Sequence, residues 1–229
     1  SSYTVAVLLP GPSVFSHPIG SQEFLGVAEE FYMSDYSMLI KPSYADSRRM
    51  NRGTNDIPRH VAGVLVLGPM SLDNPDLQEA RALNKPTVVA EDVPDEWGVT
   101  CVNADNFAAA RMVASYLVDK GHQRIALLSH KTASACMDKR IAGYRAALQA
   151  GGLQEGLMLD THSHESDEIR RLYNEMMDAD ERPSALVVLN SALMPAVAEA
   201  VAEHGTRVPD DLEIGCVDYA MPPNFRIEW

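Results

Sequence analysis

The feature that most restricts the fold of this chain is a regular alternation of short apolar runs with amphipathic helical segments. The runs, such as residues 3–9 and 61–67, are rich in Val and Leu and are not interleaved with polar residues. Strands that are covered on both faces have this character, whereas half-exposed strands alternate apolar and polar residues. The alternation therefore predicts an α/β fold with parallel sheets.

The alternation forms two series that divide near residue 103. We expect residues 1–103 and 104–218 to form an N-terminal and a C-terminal Rossmann-like lobe, each built on a parallel sheet. In the second series, Asp105 is placed to cap a helix and Gly121 to end it in the left-handed conformation. Ligands of open α/β sheets bind at the carboxyl ends of the strands, so the predicted site is a central cleft between the lobes.

The composition excludes several classes of protein. The 229 residues include 19 Lys and Arg against 32 Asp and Glu, a net charge of −13, which argues against a surface that grips a nucleic-acid backbone. No apolar stretch approaches the roughly 20 residues of a membrane span. The chain opens at Ser1 without a signal-peptide pattern, and Cys101, Cys136 and Cys216 are odd in number and widely spaced. We therefore expect free thiols and a cytoplasmic protein.

Sequence fingerprints of the common cofactor and hydrolase sites are missing from the chain. It contains no P-loop, no G-x-G-x-x-G after a strand and no G-x-S-x-G turn, so we predict no cofactor and no enzymatic activity. A polar stretch with His162, His164, Glu165 and Asp167 could hold a metal ion. Because its spacing fixes no third ligand, a solvated loop is the preferred interpretation and no metal site is predicted.

Polar residues follow the ends of several predicted strands, and they form the candidate site. A guanidinium presents a rigid set of donors and carboxylates accept hydrogen bonds from neighbouring hydroxyls, which suits a ligand rich in hydroxyl groups. The alternative is structural: Asn190 and Ser134 could cap the helices that follow them, and Arg140 could form an internal ion pair. The candidate residues are Asp95, Ser134, Arg140, Asn190 and Asp218.

Four motifs occur in order along the chain: Asp105-Asn106, GHQRIA at 121–126, RIAGY at 140–144, and VPDDL at 208–212 followed by Asp218. As an ordered set they resemble the LacI/GalR family of bacterial transcription regulators. This resemblance implies an effector-binding core like the type I periplasmic sugar-binding proteins, preceded in the whole protein by a helix-turn-helix DNA-binding domain that is not in this chain. Residues 219–229 are then expected to begin the crossover back to the N-terminal lobe, with the remainder absent.

The resemblance also implies which residues bind the effector. Arg140 matches the arginine that grips effector hydroxyls, and Asp218 matches the aspartate that follows the last strand of the second lobe. His162 falls where many members have an aromatic residue that stacks on the ligand. The other positions implied by the resemblance are Ser134, Asn190, Asp95 in a crossover loop, Phe15 after the first strand, and Cys136, where a small polar residue is common.

We therefore expect the ligand-sensing core of a LacI-type regulator, which binds a sugar or sugar derivative between its lobes and thereby controls operator binding. The partners implied are the effector, a second copy in a homodimer, and operator DNA reached only through the absent N-terminal domain. One alternative is a periplasmic sugar-binding protein of an ABC transporter. A small enzyme, such as a phosphosugar isomerase or hydrolase, is a third class, since fold does not determine function.

Overall fold

The computed structural model divides the chain into two compact units. The first unit comprises residues 1–103 and 133–135, and the second comprises 104–132 and 136–229. The residues that the structure describes are 3–9, 18–42, 57–68, 74–131, 134–163 and 165–218.

The first unit is built on a five-stranded sheet in the order β2-β1-β3-β4-β5, with all neighbouring strands parallel. Its inner strands are buried on both faces: Ala6, Val7 and Val66 have no exposed surface. Its strands are β1 (Thr4–Leu9), β2 (Ser37–Pro42), β3 (Gly63–Leu67), β4 (Thr87–Ala90) and β5 (Thr100–Cys101), and its helices are α1 (Pro18–Tyr32) and α2 (Pro75–Ala82), with a 3₁₀ turn at Asp95–Trp97.

The second unit is built on a four-stranded parallel sheet in the order β7-β6-β8-β9. Its strands are β6 (Ile125–His130), β7 (Met158–Thr161), β8 (Ala185–Val188) and β9 (Glu213–Cys216). Its helices are α3 (Asn106–Asp119), α4 (Ala135–Ala150), α5 (Ser166–Met177) and α6 (Met194–His204), with a 3₁₀ turn at Ser191–Leu193.

Helices cover both faces of the second sheet, which explains its continuous apolar strands. Ile125 and Leu127 pack into a core with residues of α3 and α4, whereas Ala126 and Leu128 pack into a separate core with residues of α5 and α6. Successive residues of a strand point to opposite faces, so both sets must be apolar. The expected α/β fold with parallel sheets in two units is thus confirmed.

Local signals at the ends of α3 act as predicted. The Asp105 carboxylate accepts a hydrogen bond from the Ala108 amide at 2.9 Å and caps the helix. At the other end, Gly121 has a φ of 95°, the left-handed conformation that glycine adopts without strain. These two residues fix where α3 begins, and its first residue belongs to the candidate site.

Two elements differ from the sequence-based expectation. The sequence pattern predicts no strand at 158–161, where β7 lies, because this strand is short, lies at the sheet edge and contains the exposed Asp160. The sequence predicts a helix over about 139–150, whereas α4 begins at Ala135, because only Met137 among its first residues is buried and the apolar signal there is weak. Arg140 consequently lies in the second turn of α4, clear of the helix terminus.

Two further expectations concern membrane spans and thiols. Among the described residues, no helix has both the length and the apolar content required to cross a bilayer. Cys101, Cys136 and Cys216 are free, as predicted from their number and spacing. Burial raises the pKa of the Cys216 thiol to about 11, so this residue is a neutral packing group at pH 7.

A polar cluster ties together the amino ends of the strands in the second unit. Glu213, the first residue of β9, accepts hydrogen bonds from Lys120 at 2.6 Å and from His122 at 3.0 Å. The other ring nitrogen of His122 is 2.8 Å from the hydroxyl of Ser184, which precedes β8. The histidine of the GHQRIA motif therefore links the segments that enter β6, β8 and β9.

The cluster predicts that Glu213 contributes to stability in a pH-dependent manner. The hydrogen bonds from Lys120 and then His122 lower the pKa of Glu213 below its usual 4.5. The ionised carboxylate of Glu213 therefore contributes its full stabilisation above pH 4.5. This contribution is lost as pH falls through the lower pKa that Glu213 has in the folded protein. We expect Glu213→Gln to lower the free energy of unfolding at pH 7, with the difference from wild type shrinking below pH 4.5.

Urea unfolding at a series of pH values measures this difference. The control is Glu175→Gln, which removes an exposed carboxylate paired with Arg171 on the surface of α5. The control should differ little from wild type at any pH, because exposed pairs contribute little. A Glu213→Gln deficit that stays constant from pH 7 to pH 3 would contradict the assignment.

Candidate functional site

The guanidinium of Arg140 is the centre of a buried polar cluster in the second unit. Its Nη1 donates to the carboxylate of Asp218 at 2.7 Å and to the carbonyl of Leu189, and its Nε donates to the amide oxygen of Asn106 at 2.8 Å. The side chains of Arg140 and Asp218 are only 12% and 13% exposed. We refer to Arg140, Asp218, Asn106 and the Leu189 carbonyl as the Arg140 cluster.

Three separate segments supply these partners of Arg140. Leu189 directly follows β8, Asp218 lies just beyond β9, and Asn106 is the first residue of α3. Because β8 and β9 are parallel neighbours, their carboxyl ends lie at the same edge of the sheet. The cluster thus occupies the edge at which ligands bind to parallel α/β sheets.

Gly143 explains how α3 and α4 come close enough for Arg140 to reach Asn106. A Cβ atom at this position would overlap the carbonyl oxygen of Phe107 and would lie 3.0 Å from the amide nitrogen of Arg111. Both atoms belong to the backbone of α3, so the two helices are in direct contact here. The glycine of the RIAGY motif, one turn after Arg140, therefore permits the approach.

The remaining candidate residues with described side chains lie in several environments. The amide oxygen of Asn190 accepts from the Ala192 amide at 2.9 Å, so this residue caps the 3₁₀ turn, as the structural alternative proposed. Ser134 is half-buried directly before α4, and Cys136 is half-buried in its first turn. His162 is exposed directly after β7.

A carboxylate organises the loop that carries His162. Glu168 accepts hydrogen bonds from the Thr161 hydroxyl at 2.9 Å and from the backbone amides of His162 and Ser163. These bonds, the Thr161 hydroxyl foremost, lower the pKa of Glu168. The loop is thus fixed by its own hydrogen bonds. Within the described ranges, no group of three or more His, Cys, Asp and Glu side chains is arranged to hold a metal ion.

Several predictions fall outside what the structure describes. Phe15, His164 and the segment 219–229 lie outside the described residues, and so does the side chain of Asp95. The backbone of Asp95 begins the 3₁₀ turn that follows β4. The effector contacts predicted for Phe15 and Asp95, and the crossover predicted for 219–229, therefore stay predictions.

Sequence reasoning missed two partners of Arg140: the side chain of Asn106 and the carbonyl of Leu189. The only signal for Asn106 in the sequence is its place in the Asp-Asn motif. A polar residue at the start of a helix is ordinarily explained by helix capping, so this motif does not by itself indicate a contact with Arg140. The contact depends on the packing of α3 against α4, with the two residues 34 positions apart.

The Arg140 cluster combines donors and acceptors without a net charge, since Arg140 and Asp218 carry opposite charges. A hydroxyl group can accept from a guanidinium and donate to a carboxylate at the same time. A ligand with adjacent hydroxyls can therefore satisfy both side chains, as neither a purely anionic nor a purely apolar ligand can.

The two parallel α/β units and the polar cluster at the carboxyl ends of the strands place the chain among two-lobed α/β proteins of the binding-protein type. The family described as periplasmic binding proteins and sugar binding domain of LacI family matches residues 23–218. The match covers most of the chain, which therefore belongs to this family.

The chain is also similar to curated transcriptional repressors. The chain is 24% identical over 216 residues to the ribose operon repressor of Escherichia coli K12, covering 93% of this chain and 64% of the repressor. It is 27% identical over 212 residues to the transcriptional repressor PurR of Vibrio atlanticus, covering 86% of this chain and 62% of that protein. The chain thus spans less than two thirds of the length of these relatives.

Solved structures of similar fold include transcription regulators. The structure of the regulator CelR in complex with cellobiose aligns with a TM-score of 0.79 at 25% identity, covering 93% of this chain and 66% of CelR. The regulator CcpA of Lactococcus lactis aligns with a TM-score of 0.78 at 21% identity, covering 94% of this chain and 78% of CcpA. These similarities support the two-unit parallel fold.

Proposed function

We propose that this chain is the effector-binding core of a LacI-family transcription regulator and that its effector is a sugar or sugar derivative. The observation that carries the proposal is the Arg140 cluster, which holds a donor and an acceptor together at the carboxyl ends of β8 and β9. Family membership and the repressors among its relatives support the regulatory part.

The ligand class follows from the charge of the cluster. Asp218 already neutralises Arg140, so an anionic ligand would gain little attraction and would meet a carboxylate. A hydroxyl group of a sugar is neutral, and it can accept a hydrogen bond from Arg140 while it donates one to Asp218. The cellobiose bound by CelR is a ligand of this class. The same proposal includes Ser134, Asn190, His162, Cys136, Asp95 and Phe15 as further effector-binding residues.

The regulatory mechanism is a shift between two states of the protein. An effector changes operator binding only as far as its affinities for the two states differ. In this proposal residues 1–103 and 104–218 are the two lobes of the core, and the regulator is a cytoplasmic homodimer that binds DNA through an N-terminal domain. The family also includes periplasmic binding proteins. We prefer the regulator because the curated relatives quoted above are repressors.

A sugar screen tests the proposal. We expect one member of a panel containing D-ribose, cellobiose and common mono- and disaccharides to raise the melting temperature, because a ligand of the folded state stabilises it by about 2.7 kcal/mol at about 100 times its Kd. Calorimetric titration then gives the Kd. Arg140→Ala and Asp218→Asn should each abolish detectable binding, with circular dichroism showing that the variants tested are folded.

Arg145→Ala is the matched control for this experiment. Arg145 lies on the same helix, is 54% exposed and pairs with Glu155 outside the Arg140 cluster. It should bind the sugar as wild type does. A folded Arg140→Ala variant with unchanged sugar affinity would refute the site, and a panel without a binder would refute the sugar class.

A further inference from the structure

We infer that Asn106 is the positioning residue that orients the Arg140 guanidinium for the effector, an inference that rests on the proposed function. Asn106 is 2% exposed, and its amide oxygen accepts from Nε of Arg140 at 2.8 Å. A residue so deeply buried acts on a ligand through Arg140. Its role is therefore to position the arginine.

The geometry of a guanidinium explains why this contact matters. The group is planar, with its donors in a fixed arrangement, so holding it at two different nitrogens fixes its plane. The Leu189 carbonyl and the Asp218 carboxylate both accept from Nη1, at one corner of the guanidinium. Asn106 accepts from Nε, a second corner, and together with those two acceptors fixes the plane of the guanidinium.

Asn106 is itself held in place by the chain around it. Its amide nitrogen donates to the carbonyl of Ala104 at 3.3 Å, and the neighbouring Asp105 caps α3. Gly143 brings the first turn of α3 against α4, the helix that carries Arg140. The amide oxygen of Asn106 is thus in place before any ligand binds. Binding then does not require the loss of entropy that ordering Arg140 would cause.

The amide is also the acceptor that keeps the cluster neutral. An aspartate at position 106 would present the same acceptor oxygen but would add a negative charge beside the Arg140–Asp218 pair. Alanine would remove the acceptor and leave Nε–H without this bond. Asn106→Asp keeps the acceptor oxygen, whereas Asn106→Ala removes it. Comparing the two variants therefore tests whether the hydrogen bond from Nε orients Arg140.

Nitrogen-15 NMR of the arginine side chains in the whole chain tests the inference without a ligand. The Nε–H signal of Arg140 is assigned by its absence from Arg140→Lys. We expect this proton to exchange slowly with water in wild type and in Asn106→Asp, and about tenfold faster in Asn106→Ala, as for loss of a hydrogen bond of a charged group. Equal exchange in wild type and Asn106→Ala would overturn the inference.

Sugar affinity is the second readout, measured with whichever member of the panel binds wild type. Asn106→Ala should weaken binding about tenfold, and Asn106→Asp should recover most of the loss. An Asn106→Ala variant with wild-type affinity would overturn the functional role of Asn106. If no sugar binds wild type, the proposed effector class fails, whereas the exchange rates still decide whether Asn106 orients Arg140.

Discussion

Replacing Gly143 with alanine is expected to destabilise the second unit by about 2 kcal/mol, although the same change in a helix ordinarily stabilises. The new Cβ would overlap the carbonyl of Phe107 and would crowd the amide of Arg111. Because both are backbone atoms of α3, no side-chain rotation can make room. Relief requires that α3 and α4 move apart, which opens the core between them and separates Asn106 from Arg140.

Gly26→Ala in α1 provides the matched control. A Cβ at Gly26 would meet no atom within 4 Å, so the substitution should stabilise by about 0.5–1 kcal/mol through helix propensity alone. Urea unfolding followed by circular dichroism compares the two variants with wild type. If Gly143→Ala were as stable as Gly26→Ala, the close approach of α3 and α4 would be wrong.

The fold was predictable because its signals are local. The unbroken apolar run of β6 predicts a strand covered on both faces, and Asp105 and Gly121 mark the ends of α3 within the sequence itself. Strand β7 escaped prediction because an edge strand needs less apolar surface and Asp160 faces solvent. Its pairing with β6 is non-local and leaves little trace in composition.

The candidate site was predictable to the extent that topology determines it. Arg140 and Asp218 are 78 residues apart, and the rule that ligand-binding residues follow parallel strands was enough to group them. Asn106 was not predictable, because its contact requires the glycine-mediated packing of α3 on α4. The sequence also left two uses of Arg140 open, an effector contact and an internal ion pair. The structure shows that Arg140 forms the ion pair with Asp218. In the proposed function, the effector binds to both members of this pair.

That ion pair leads to the largest stability effect that we expect. Arg140→Ala should lower the free energy of unfolding by about 3 kcal/mol, because it leaves the carboxylate of Asp218, only 13% exposed, without its cation. It also removes the donors to Leu189 and Asn106. Arg145→Ala on the same helix should cost no more than about 1 kcal/mol, since its pair with Glu155 is exposed on both sides.

A double-mutant cycle separates the pair from its individual members. Combining Arg140→Met with Asp218→Asn removes both charges while keeping much of the side-chain volume, so the double variant should be more stable than the sum of the single losses predicts. Urea unfolding at pH 7 gives the four free energies. Additive losses would mean that Arg140 and Asp218 do not interact in the folded protein. In that case Asp218 would not be the acceptor paired with Arg140 in the proposed effector site. A positive coupling together with lost sugar binding in each single variant would show that one pair serves both stability and recognition.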